Sequence, residues 1–162
     1  MDERRRPDPL RAALAGLAAG LVASFVMDRF QAVVSALSSN NGQSSEPSTE
    51  KAADRLAMAT TGKPVPEEDK PLAGSMVHYA FGGALGTGYG FAAEYLPEVT
   101  AGFGSAFAVA VDALADEVAV PALRLGSPPW DTSAGEHAYG AVSHLVFGAA
   151  LEGTRRLLRN AV

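Results

Sequence analysis

The chain has 162 residues, 48% of them apolar, no cysteine and a net charge of −5. That length fits one domain, and the missing cysteines exclude disulfides, zinc–thiolate sites, iron–sulfur clusters and thiol catalysis. The acidic balance, with basic residues gathered toward the two ends, leaves no reason to expect a nucleic-acid partner.

The first predicted segment covers about residues 10–37. Arg4, Arg5, Arg6 and Arg11 lead into it, and its apolar stretch runs on through Asp28 and Phe30 without an Ala-x-Ala-type cleavage site, which reads as an uncleaved anchor. Residues 38–71 form a polar connection that starts at Ser38-Ser-Asn-Asn-Gly. Within it, Ser48 to Thr61 predicts a short amphipathic helix with Ala52, Leu56 and Ala59 on one side and Glu50, Lys51, Asp54 and Arg55 on the other. Ser48 and Lys51 make an imperfect capping box at its start. Gly62-Lys-Pro-Val-Pro ends that helix.

The second segment is predicted at 72–96. From Leu72 to Ala93 it has twenty-two residues without Asp, Glu, Lys or Arg, the length of a membrane-spanning helix. The third, 101–123, closes near Pro121. A Pro128-Pro-Trp130 connection of the kind found at membrane interfaces leads into the fourth, 135–158. The expected fold is all-α: a four-helix transmembrane bundle of two similar helical hairpins, with the short amphipathic helix in the first outer loop. It forms a single integral-membrane domain across 1–162. Arg4, Arg5, Arg6 and Arg11 before the first segment and Arg155, Arg156 and Arg159 at the end of the fourth place both termini in the cytoplasm.

Every fourth residue of these segments tells a common story. The first reads Gly16, Gly20, Ser24, Asp28; the second Gly74, His78, Gly82, Gly86, Gly90, Glu94; the third Gly104, Ala108, Asp112, Asp116; the fourth Glu136, Gly140, His144, Gly148, Glu152. Small residues at this spacing let helix backbones approach closely where lipid supplies no hydrophobic drive, so the polar members of each ridge should face protein. A homo-oligomer or a membrane-protein partner, besides membrane lipid, is expected from the same glycines.

The phrase His-x-x-Phe-Gly-x-Ala-Leu occurs twice, at His78 to Leu85 and at His144 to Leu151. With both ends inside, Asp28, His78, Asp112, Asp116 and His144 converge in the outer half, while Glu94, Glu152 and Arg155 fall at the inner end. Three uses of the outer group stay open. It can fix helix register through hydrogen bonds. It can relay protons or a small ion, since His changes charge near neutral pH. It can bind haem between His78 and His144, or a divalent metal using His78, His144 and Asp116, although no ligand-spacing motif is present and no cofactor is expected. A soluble Ala-rich bundle is the remaining alternative. The run Gly82 to Gly90 lacks the Lys-Ser/Thr ending of a phosphate loop, and Ser75, Ser105 and Ser143 lack a Gly-x-Ser-x-Gly turn, so enzyme activity is not expected.

His78-x-x-Phe81, Gly88-Tyr89, Ala93-Glu94-x-x-Pro97, Pro121-x-x-x-Leu-Gly-x-Pro-Pro-Trp130, Glu136, His144-Leu-Val and Glu152-x-x-Arg155-Arg156 together resemble the YagU-type family of small bacterial inner-membrane proteins. The resemblance covers roughly residues 76–160. It implies a multi-pass inner-membrane protein and no catalytic residue. The expected role is a non-enzymatic membrane protein whose His/Asp group responds to or conducts protons or a small ion.

Overall fold

The computed structural model describes residues 7–38 and 46–161. Arg4, Arg5 and Arg6, used above for orientation, and residues 39–45 of the polar connection lie outside the described residues. The described chain is all-helical, without strands. Helix α1 spans Pro9–Leu37, α2 Ser48–Thr61, α3 Lys70–Tyr95, α4 Ser105–Leu114 and α5 Ala134–Ala161. Single 3₁₀ turns at Glu67–Asp69, Pro97–Thr100 and Pro129–Asp131 fill the connections.

The termini of these helices follow local chemistry. Asp8 caps α1 by accepting from the Arg11 amide, and Pro9 supplies the preset first turn. Gly62, at φ 73°, closes α2. Before α3, Lys70 lies between Glu67 and Glu46 at 2.7 and 3.0 Å; the hydrogen bond to Glu67, then that to Glu46, holds its ammonium above the ordinary lysine range. Ser133 and Glu136 form a reciprocal capping box at α5: the Ser133 amide donates to Glu136 Oε2 at 2.9 Å and the Glu136 amide to Ser133 Oγ at 3.3 Å. Glu136 is therefore an exposed cap, not a member of the packing ridge as expected.

Two predicted elements differ from what forms. The third segment begins four residues late, because Gly102, Phe103 and Gly104 all take positive φ (61°, 57° and 84°), and three left-handed residues in a row cannot belong to a helix. Its far half is not α-helical either: Ala115–Ala119 is a π turn in which the Val120 amide reaches back to Ala115, followed by one turn at Val120–Ala122. Pro121 brings no amide and its ring crowds the preceding turn, which accounts for the local widening. In α2, Ser48 makes no side-chain cap; the Pro47 carbonyl accepts from Glu50 and Lys51 instead. The inward face of α2 centres on Ala53, while Leu56 and Met58 point out. The reason is steric. Glu50 lies directly over Gly74 of α3, its Cγ 2.7 Å from where a Cβ would stand, so the missing side chain of Gly74 lets α2 come that close.

Helix α1 packs against both α3 and α5, α2 lies on α3, and α4 packs on α5. The closest approach joins α1 to α3. A Cβ on Gly16 or Gly20 would run into the carbonyl oxygen of Gly86 or Gly82, and one on Gly90 into that of Ala12. A second close approach brings Gly104 against the Gly148 carbonyl, with Ala108 beside it. These glycines are used inside the chain, so contact with a second copy would have to use other surfaces. Helices α3 and α4 meet through the rings of Tyr89 and Phe107, 4.7 Å between centroids. Beyond those rings they part and wall a cavity.

The core holds Met27, Tyr89, Phe147 and Leu151, but along α1 small residues are buried and large apolar ones exposed. Ala19, Ala23 and Ser24 are fully buried, while Leu14, Phe25 and Val33 on the same helix are 57%, 53% and 58% exposed. Among the described residues one helix, α1, is long and apolar enough to cross a membrane by length and composition; its most apolar 18-residue window has a mean hydropathy of 1.8. At one end of the fold the Asp8 amide and Arg159 both bind Glu94. At the other, Arg55 of α2 donates to the carbonyls of Leu123 and Arg124.

Candidate functional site: two histidine–aspartate groups on one cavity

His78 extends from the middle of α3 toward α1, where its Nε2 lies 3.2 Å from Asp28 Oδ1 without the alignment of a hydrogen bond. This pairing follows from the glycine ridge. Asp28 comes four residues after Ser24 on α1 and His78 four before Gly82 on α3, so they are the first long side chains beyond the close backbone contact.

His144 lies on α5, 92% buried, with Nδ1 3.1 Å from Asp112 Oδ1, 3.7 Å from Asp116 Oδ2 and 3.1 Å from the Gly140 carbonyl. All three neighbours are oxygen acceptors, so in the neutral ring Nδ1 carries the hydrogen and Nε2 the lone pair. Gly140 is the opening through which both carboxylates reach: a Cβ there would lie 3.5 Å from Asp112 Oδ1 and 3.9 Å from Asp116 Oδ2. Asp116 belongs to the π turn, and widened helical turns of this kind commonly present side chains at functional sites.

The outer group expected as one cluster is thus two. Asp28 and His78 form a pair on one side; Asp112, Asp116 and His144 form a triad on the other. Asp28, His78, Asp116 and His144 all line the same cavity of about 700 Å³ between the helices. Asp112 and Asp116 also line a second, smaller cavity of about 330 Å³ toward the loop end, together with Glu117, Asp131, Glu136 and His137. For a divalent metal, the triad is the geometrically suitable set: one donor atom from each of Asp112, Asp116 and His144 lies within 4.8 Å of the others. His78 is not part of that set.

Glu94, Glu152 and Arg155 stand at the opposite end. Glu152 is fully buried and accepts from Tyr89 Oη at 2.8 Å, from Arg155 Nε and Nη2 at 2.7 and 2.9 Å, and from Arg156 Nε at 2.6 Å. A buried carboxylate with four donors is fully satisfied and serves as a structural anchor. Glu94 is held separately, by Arg159 at 2.7 Å.

Three participants were not visible from the ridge pattern. Tyr89 lies off the four-residue ridge, and its only signal was a large polar ring between Gly88 and Gly90. Arg159 lies one heptad after Glu152, a spacing that puts both on one face of α5. His137, with Nδ1 2.7 Å from Glu117 Oε1 and Nε2 3.0 Å from the Pro129 carbonyl, ties α5 to the π turn and to the Pro-Pro-Trp connection. Its sequence neighbourhood carries no repeat of the His-x-x-Phe phrase.

The profile of DUF1440, a family described as proteins of unknown function, matches residues 42–153, more than two thirds of the chain. The chain belongs to that family. The matched stretch holds His78, Asp112, Asp116 and His144, whereas Asp28 on α1 lies before it. No curated protein and no solved structure matches the chain.

Proposed function

We propose that this DUF1440 protein is a multi-pass integral protein of the bacterial inner membrane whose His/Asp groups bind and pass protons or a small ion. In this reading α1, α3, α4 with its π extension and α5 form a four-helix transmembrane bundle of two hairpins. The observation that carries it is the pattern on α1: glycine, alanine and serine fill its contacts with α3 and α5, while Leu10, Leu14, Phe25, Val33 and Leu37 stay exposed. In water that exposure would forfeit about 25 cal/mol for every Å² of apolar surface left wet; in lipid it costs nothing, and small-residue contacts are what remain to hold helices together. The glycines of α3 dilute its hydropathy without adding polarity, so its charge-free run from Leu72 to Ala93 still suits a membrane.

Orientation with both termini in the cytoplasm rests on Arg4, Arg5, Arg6 and Arg11 before the first segment and Arg155, Arg156 and Arg159 at the end of the fourth, against Lys51, Arg55, Lys63 and Lys70 in the outer loop, most of them far from helix ends. Kinship to YagU-type inner-membrane proteins is part of the same reading and rests on the ordered motifs between His78 and Arg156. The proton or ion role rests on ionisable groups on the wall of a cavity between the helices; within a membrane such groups commonly mark a conduction path. The reading is non-enzymatic and needs no cofactor. A divalent metal at Asp112, Asp116 and His144 is a second reading, favoured by the spacing of those donors.

The absence of cysteine allows a clean topology test, since single cysteines at Lys63 and Gly126 would both label from the outside of right-side-out vesicles and one at Thr154 would not. Alkaline carbonate should leave the protein in the membrane pellet; release into the supernatant would end the membrane reading. Proteoliposomes carrying an internal pH dye should acidify under an imposed potential, and His144→Ala or His78→Ala should abolish this. Flux no greater than that of protein-free liposomes would end the relay reading.

A further inference from the structure

The cavity is far larger than a proton path requires. A file of bridging waters or a bare metal ion would occupy a small part of 700 Å³, which falls instead within the range of small-molecule sites, about 300–1,000 Å³. Its walls are mostly apolar: Met27 from α1, Phe81 and Leu85 from α3, Val111 from α4, and Phe147 from α5. Its ionisable lining is one-sided. Asp28 and Asp116 lie on different walls, Glu50 of α2 lies at the rim, and among the described lining residues there is no lysine or arginine. His78 and His144 are the only basic side chains there, each already beside a carboxylate.

We propose that this cavity is a binding site for an organic cation with an apolar body, an amine or quaternary onium carrying aromatic or branched alkyl groups. The apolar walls take up the body, and Asp116 with Asp28 neutralises the charge. Carboxylates on two walls without a fixed lysine or arginine between them attract a positive ligand and repel an anion of the same shape. The rings of Phe81 and Phe147 add faces on which a cation can rest. The hydrogen bond of His144 Nδ1 goes to the Gly140 carbonyl, and of the two carboxylates beside it Asp116 stands farther off, at 3.7 Å against 3.1 Å for Asp112, and lines the cavity. This site does not depend on the proton or ion reading, because binding needs only the cavity and its charge.

The test is equilibrium dialysis of the purified full chain in a neutral detergent against radiolabelled tetraphenylphosphonium, with tetraphenylborate as the anion of the same shape. Saturable binding of the phosphonium at one per chain, without saturable binding of the borate, is expected. Asp116→Asn and Asp28→Asn should each weaken it at least tenfold with unchanged elution volume. Should either variant fail to fold, Leu85→Trp fills the cavity from its apolar wall and should abolish binding without touching a charge. Equal retention of the two ions, affinity unmoved by both asparagine variants and by Leu85→Trp, or no saturable binding of either tetraphenylphosphonium or the smaller benzyltrimethylammonium would overturn the proposal. The flux assay above contains no organic cation, so the two readings fail independently.

Discussion

Gly86→Ala probes the closest backbone contact in the protein. The added Cβ would lie 2.6 Å from Gly20 Cα and 2.8 Å from Gly20 N, besides meeting the Gly16 carbonyl oxygen. Ordinary contact between carbon atoms is about 3.5–4.0 Å, so α1 and α3 would have to separate by about 1 Å. Backbone cannot turn aside as a flexible side chain can, which puts the cost near the upper end of the usual 1–3 kcal/mol for overpacking, about 3 kcal/mol. Alanine regains about 1 kcal/mol over glycine as a helix former, leaving a net loss of about 2 kcal/mol. For a protein of this size that lowers the melting temperature by about 4–8 °C. Gly88→Ala, two residues on, is the control: nothing lies within 4 Å of its Cβ, so only the propensity gain remains and melting should rise by about 2–4 °C. Thermal unfolding followed by circular dichroism in one detergent measures both. A Gly86→Ala protein melting at or above the parent would refute the close α1–α3 contact and the ridge argument with it.

Gly104→Ala should be more damaging than Gly86→Ala, since it combines a φ of 84° with collision against the Gly148 carbonyl; a melting temperature within 2 °C of the parent, on the order expected for a neutral change, would contradict that turn. Glu152→Ala leaves Arg155 and the Tyr89 hydroxyl unpaired in a buried position and should cost about 3–5 kcal/mol, whereas Tyr89→Phe removes one donor from an acceptor that keeps three and should cost only about 1–2 kcal/mol. Reversed order of the two in chemical or thermal unfolding would mean that the carboxylate is not the centre of that network. Ser133→Ala deletes one half of the α5 capping box and should cost about 1 kcal/mol, read as fraying of the first turn by hydrogen exchange at Glu136 and His137.

Much of the helical plan was legible because its signals are local. The charge-free run of α3, the prolines at its two ends, Gly62 after α2 and the Pro-Pro-Trp connection before α5 all act within a few residues of themselves. The ridge Gly16, Gly20, Gly82, Gly86, Gly90 and Gly148 was legible for the same reason, since spacing of four is a property of one helix. The α4 region was not. Phe103 takes positive φ in a left-handed turn whose Gly104 packs on Gly148, on a helix more than forty residues later, and the π turn at Asp116 precedes Pro121. The inward face of α2 was misread because Leu56 outweighs Ala53 in hydrophobicity, while α2 lies against α3 with Glu50 over Gly74 and Ala53 turned inward.

The repeated histidine phrase identified from sequence which ionisable groups enter the interior, because a polar residue on a small-residue ridge has nowhere else to go. Which of them touch was decided by the order of the helices: α1 lies between α3 and α5, so Asp28 reaches His78, while α4 against α5 brings Asp112 and Asp116 to His144. The cavity between the two groups is likewise a tertiary property. It opens where α3 and α4 part beyond the Tyr89–Phe107 contact, and no local pattern records the space that two helices leave unfilled.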